Sequence, residues 1–186
     1  MPRLAATLIL VLALCPPAPA AIASTLRALS LELLVAGSDA VVIGVAGAAA
    51  TRHLPGGAIV RDVPFRVEQW VVGHGPEEIV VRLLGGEEGD RGLLVPGEVE
   101  LEPGETALFF LEAGVGGFAV AGMAQGHFRV VTDGRTGVRY AERTLGELNL
   151  VGEPGPDSLG LARDRTCAFL PLDALAARIR ELAAGR

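Results

Sequence analysis

The sequence predicts a mainly β protein: a small antiparallel Greek-key barrel with a short N-terminal helix and a C-terminal helix. Three observations carry that prediction. Runs rich in Val, Ile and Phe recur at strand length, Gly and Pro clusters separate them at turn length, and helical periodicity appears only after residue 30 and after residue 171. With 186 residues, half of them hydrophobic, the chain is long enough for one domain with a real core.

Residues 1–23 read as a removable export signal. Arg3 supplies the positive start, residues 4–14 the apolar run, and the triplets Ala18-Pro19-Ala20 and Ala21-Ile22-Ala23 the small-residue cleavage site. Cleavage is expected before Ser24, or alternatively before Ala21, which places the protein in a secreted or periplasmic compartment. The apolar run is too short to span a bilayer and Pro16-Pro17 stops it. No later stretch reaches transmembrane length, since the best, residues 40–50, is broken by Gly44 and Gly47. Leu14 stands where lipid attachment at Cys15 would want a small residue. Cleavage then leaves Cys167 as the one cysteine, so no internal disulfide is expected. Its neighbours Ala168, Phe169 and Leu170 favour a buried, inert thiol.

The barrel domain is expected over residues 24–148. Ser30 is a natural N-cap, Glu32 suits the first turn, Leu31, Leu34 and Val35 share one face, and Gly37 stops the helix. A first long strand is expected over 40–52 and a second over 59–72, joined through the turn His53-Leu54-Pro55-Gly56-Gly57. In the second, Val63, Phe65 and Val67 alternate with Asp62, Arg66 and Glu68 until Trp70-Val71 breaks the alternation, predicting a bulge near Gln69. A third strand follows at 78–84, then an irregular excursion over 85–104. The fourth strand, 106–112, is apolar on both faces, and a fifth is expected at 118–122. Strands at 127–132 and 138–140 flank Asp133-Gly134, a tight-turn pair. A Pro/Gly-rich linker is expected over 149–170. Pro171 then opens a helix to residue 186 whose Leu172, Leu175, Ala176, Ile179 and Leu182 form one stripe.

Two long coiled strands, a third, an excursion and a closing hairpin suit an OB-like barrel, with a β-sandwich as the alternative. The segments Ser38-Asp39-Ala40-Val41-Val42-Ile43-Gly44-Val45, Phe65-Arg66-Val67-Glu68-Gln69-Trp70-Val71-Val72-Gly73 and Glu105-Thr106-Ala107-Leu108-Phe109-Phe110-Leu111 resemble the barrel of netrin-like modules and tissue inhibitors of metalloproteinases. The run from Gly122 through His127 to Val130 resembles uncharacterised bacterial secreted proteins. The netrin-like resemblance implies an OB-type barrel and an extracellular protease as a possible partner. It does not carry over the inhibitors' zinc chelation by an N-terminal cysteine, because neither Ser24 nor Ala21 is a cysteine.

The residues point away from catalysis. No Gly-x-Ser-x-Gly, His-Glu-x-x-His or phosphate-cradling glycine loop occurs, so no catalytic residue, cofactor or metal is assigned. His53, His74 and His127 lack ligand-like spacing, and Glu87, Glu88 and Asp90 lack the alternating ligands of a calcium loop. The formal charge of −6, one unit more acidic after cleavage, excludes nucleic acid as a natural partner. What remains is a non-enzymatic protein- or peptide-binding module whose rim is formed by His53, Glu87, Glu88, Asp90 and Trp70. The alternatives are a hydrolase with a scattered site, such as His127 with an acid from the excursion, and a structural envelope protein. Nothing in the sequence fixes the oligomeric state.

Overall fold

The computed structural model describes residues 25–143, 145, 149–151 and 168–185. In chain order these form β1 (Thr25–Arg27), α1 (Leu31–Gly37), β2 (Ala40–Ala46), β3 (Ala50–His53), β4 (Ile59–Val72), β5 (Glu78–Leu84), β6 (Gly86–Glu88), β7 (Arg91–Leu93), β8 (Thr106–Gly114) and β9 (Gly117–Val120). A 3-10 turn (Met123–Gly126), β10 (His127–Thr132), β11 (Arg139–Arg143), β12 (Asn149–Val151), β13 (Ala168–Pro171) and α2 (Leu172–Ala184) complete them. The expected export signal and its cleavage junction, Cys15, Cys167 and the middle of the expected linker lie outside these residues.

Five strands close on themselves. β2 pairs antiparallel with both β4 and β8, β4 with β5, and β8 with β9, while β5 and β9 run parallel through Val81 opposite Phe118. That ring, β8-β2-β4-β5-β9, is the Greek-key order of a small OB-like barrel. The expected bulge is present and doubled: Val42 faces Trp70 and Gly44 faces Val67, so Val71 and Glu68 are the extra residues on either side of Gln69. At Gly44 the strands come so close that a Cβ would lie 2.2 Å from the Arg66 carbonyl oxygen. Only glycine fits there.

The strand expected over 40–52 is two strands, and Pro64 explains the break. β2 ends at Ala46 opposite Phe65 and β3 starts at Ala50 opposite Asp62. Between them Gly47 N–H donates to the Pro64 carbonyl at 2.7 Å, so the side of Pro64 that has no N–H faces the gap. A continuous ladder would need a donor that proline lacks.

Beyond β8 the sheet continues as a wing, β10-β11-β13, that lies outside the ring. β13 and β12 fall at the two ends of the expected linker, which therefore begins and ends in paired backbone. Alternation along β8 feeds two cores. Ala107, Phe109 and Leu111 point into the barrel with Val63, Phe65, Val81 and Leu83, and Phe65 meets Phe109 edge to face at 5.2 Å. Leu108 and Phe110 point outward to Phe128, α1 and α2. The final helix buries Leu172, Leu175, Ala176 and Ile179 there, each large side chain contributing about 1.5–3 kcal/mol as an upper estimate. Among the described residues no helix is long and apolar enough to cross a membrane.

Candidate binding site at the barrel rim

The excursion between β5 and β8 has two parts with different jobs. Residues 86–93 form the β6–β7 hairpin, and residues 94–104 cross the barrel end as a strap. The strap is fastened from both sides. Val99 is buried in the barrel core and its carbonyl accepts from Arg61 Nη2 at 3.0 Å, so the strap is not peripheral to the core as an irregular excursion would suggest. Glu98 accepts from the backbone N–H groups of Leu84 and Val99, both at 2.9 Å, and Ala124 N–H donates to the Gly97 carbonyl at 3.1 Å.

Ahead of these anchors, Leu94 stands 83% exposed between two depressions. The smaller, about 340 Å³, lies toward Arg61, Glu87 and Leu93. The larger, about 520 Å³, lies toward Glu102, Glu105, Ala124, His127 and Arg129. Leu94, Val95, Glu98 and Glu100 line both. The larger groove falls within the size range of small-ligand pockets, but its wall is mixed polar and apolar and it carries four glutamates against one arginine.

At its floor Glu105 and His127 meet. The pairing of β8 with β10 sets Phe109 opposite His127, and the two rings stack at 5.0 Å between centroids. His127 Nε2 lies 3.3 Å from Glu105 Oε1, and Arg129 Nε lies 4.0 Å from Glu105 Oε2. Both Glu105 and His127 side chains are 9% exposed. The contact is short enough for charge attraction but is not aligned as a hydrogen bond, so both facing atoms are left without one. Burial pushes the Glu105 carboxyl up, yet His127 and Arg129 outweigh it and hold the group below its ordinary range.

The turn before β10 delivers His127 to this place. Gly122 and Met123 both adopt left-handed backbone, and Gln125, fully buried, accepts from Leu29 N–H at 2.8 Å and donates to the Arg27 carbonyl at 3.2 Å. That strained turn is therefore tied to the N-terminal segment.

Of the residues expected at the rim, the structure gathers four. His53 Nε2 lies 2.8 Å from Glu88 Oε2, Glu87 faces the smaller depression, and Asp90 is at the tip of the same β6–β7 hairpin. Trp70 is elsewhere. It sits eleven residues along β4 from Ile59, the partner of His53, half-buried against the barrel core and roofed by Gly75. Phe128 is wholly buried. Sequence reasoning singles out neither Glu105 nor Arg129, and it raises His127 only as a discounted metal ligand and as half of the hydrolase alternative. Among the described residues no group of three or more His, Cys, Asp and Glu side chains is placed to hold a metal ion. Compared with known proteins, the chain matches no family model, no curated protein and no solved structure.

Proposed function

We propose that this chain is an exported, non-enzymatic module that binds a protein partner across the strap. The observation that carries the reading is Leu94: a nearly fully exposed leucine held by a fastened strap between two grooves. An apolar contact presented on anchored backbone and rimmed by charge is the form of a protein contact site, because little freedom is lost on docking. Export rests on the pattern of residues 1–23. The netrin-like resemblance supports an extracellular protease as the class of partner.

The hydrolase alternative draws support from His127 and Glu105, a histidine beside an acid at the end of the excursion. The two described serines are engaged at α1, away from this pair. Ser30 accepts from Leu33 N–H at the start of α1, and the Ser38 hydroxyl donates to the Leu34 carbonyl at its end.

A photo-reactive residue at position 94, compared with one at Val115 on the β8–β9 turn at the other end of β8, tests the reading in cells of the source organism. Val115 is 95% exposed, so it controls for exposure alone. A discrete adduct from position 94 only is expected. Adducts from neither position, or equally from both, overturn the contact site, and a mature chain that retains Met1 overturns export.

A further inference from the structure

We infer that the strap is a substrate-like inhibitory loop: it enters the cleft of an extracellular serine protease with an apolar primary pocket, and Leu94 fills that pocket. The inference rests on the protein-binding reading and names the partner's chemistry. Three observations lead to it. Leu94 is 83% exposed, whereas Val95 after it is half-buried, so the side chain on offer is the one before the Leu94–Val95 bond. A serine protease selects its substrates by that residue, and an apolar primary pocket takes leucine.

The backbone around the bond has the form a cleft accepts. Leu93 ends β7 opposite Gly86, and Pro96 confines Val95 to the extended region. An extended segment docks by strand addition, and among the described residues no strand pairs with the outer edge of β7.

The third observation is that the chain is fastened on both sides of the bond. Before it, the backbone runs so close to Gly85 that a Cβ there would lie 2.5 Å from the Leu93 carbonyl oxygen. After it, Pro96 and the left-handed Gly97 turn the chain, and Glu98 N–H closes the turn on the Val95 carbonyl at 3.1 Å, the pattern of a type II turn. Glu98 and Val99 then tie the strap to Leu84 and Arg61.

Fastening separates an inhibitor from a substrate. Attack of the protease serine oxygen on the Leu94 carbonyl carbon breaks the Leu94–Val95 bond, and the serine proton passes through the protease histidine to the Val95 nitrogen. The new amine is held in place by its turn and the acyl carbon by the Leu93 pairing. The amine therefore attacks the ester, returns the proton to the serine and re-forms the peptide bond before water intervenes.

The probes are chymotrypsin and trypsin, each assayed on a chromogenic peptide in the presence of the purified protein. Competitive inhibition of chymotrypsin is expected, with the chain recovered intact or cut only after Leu94. Leu94→Asp should weaken inhibition by about thirtyfold or more, as the loss of an anchoring side chain implies. Leu94→Arg should transfer inhibition to trypsin, whose pocket carries an acid, a gain that a misfolded variant does not produce. No inhibition of chymotrypsin, equal inhibition by Leu94→Asp, or rapid release of fragments ending at Leu94 with loss of inhibition overturns the inference. So does a Leu94→Arg chain that leaves trypsin untouched. If position 94 still gives its discrete adduct in cells while these assays fail, the protein-binding reading stands without this inference.

Discussion

Asp62 and Glu105 are both shielded carboxylates on barrel strands or at their ends, and they are treated in opposite ways. Asp62, 15% exposed, receives Arg82 through two aligned bonds, Nε to Oδ1 at 2.7 Å and Nη2 to Oδ2 at 3.1 Å, with Arg52 on the same carboxylate. These residues come from β4, β5 and β3, so the charge cluster staples three neighbouring strands. Glu105 is more shielded yet has no aligned side-chain donor. A carboxylate with two aligned donors ties strands together; one held by unaligned cations at a strand end contributes less to the fold.

The largest effect should follow from breaking the satisfied site. Asp62→Ala removes the partner of Arg82 Nε and Nη2, leaving the Val115 carbonyl on Nη1, and should cost about 2–3 kcal/mol, read as a lower denaturant midpoint at unchanged slope. A loss under about 0.5 kcal/mol would put Asp62 among ordinary surface charges and dissolve the comparison.

Acid should show the same ranking. Burial opposes ionisation at both, but at Asp62 the Arg82 hydrogen bond is the largest influence and holds the carboxyl below its ordinary range, whereas at Glu105 burial is the largest and is overcome by His127 and Arg129 together. Each group therefore contributes stability that is complete above its unfolded value, near pH 4, and is lost as pH falls through the lower folded value. Asp62→Asn should flatten the decline of the urea midpoint between about pH 5 and pH 2 more than Glu105→Gln does. The reverse order would mean that His127 binds Glu105 more tightly than the geometry indicates.

Glu105→Gln itself should change stability by about 1 kcal/mol or less at neutral pH, since no aligned side-chain bond is removed. A loss near that of Asp62→Ala would make Glu105 a structural charge. Smallest, and opposite in sign, is the expected effect at Arg143. It lies over the Phe128 ring at 5.4 Å, its Nε and Nη2 have no hydrogen-bond partner, and burial pushes the guanidinium down to about 10. Arg143→Met should leave the melting temperature unchanged or raise it by a few degrees. A fall would reveal an anion serving that cation.

The barrel was legible because its signals are local. The Val63-Phe65 alternation, the Ser30 cap and the Pro171 start each specify an element from its own neighbours, and the slip at Trp70-Val71 located the bulge. The break at Gly47 was not, because Pro64, seventeen residues away, causes it across the sheet. The site was hidden for the same reason. Glu105 follows a turn and reads as one more acid, and only the pairing of β8 with β10 brings it to His127, 22 positions later. Strap anchoring leaves a fainter trace: Val99 is an apolar residue between Glu98 and Glu100 in an otherwise irregular stretch. That alternation was the available clue.

The parallel pairing of β5 with β9 also governs how the protein is made. Until Phe118 and Ala119 reach Val81 and Arg82, the chain holds β2, β4 and β5 with two bare sheet edges and no closed interior. The N-terminal segment waits as long, since its anchor Gln125 lies 96 positions beyond Leu29. About two thirds of the polypeptide must therefore be synthesised before any closed barrel exists, and a nascent chain in that state offers its edges to other chains. Closure depends on β9, so truncations that remove it should appear as inclusion bodies rather than as a smaller folded protein.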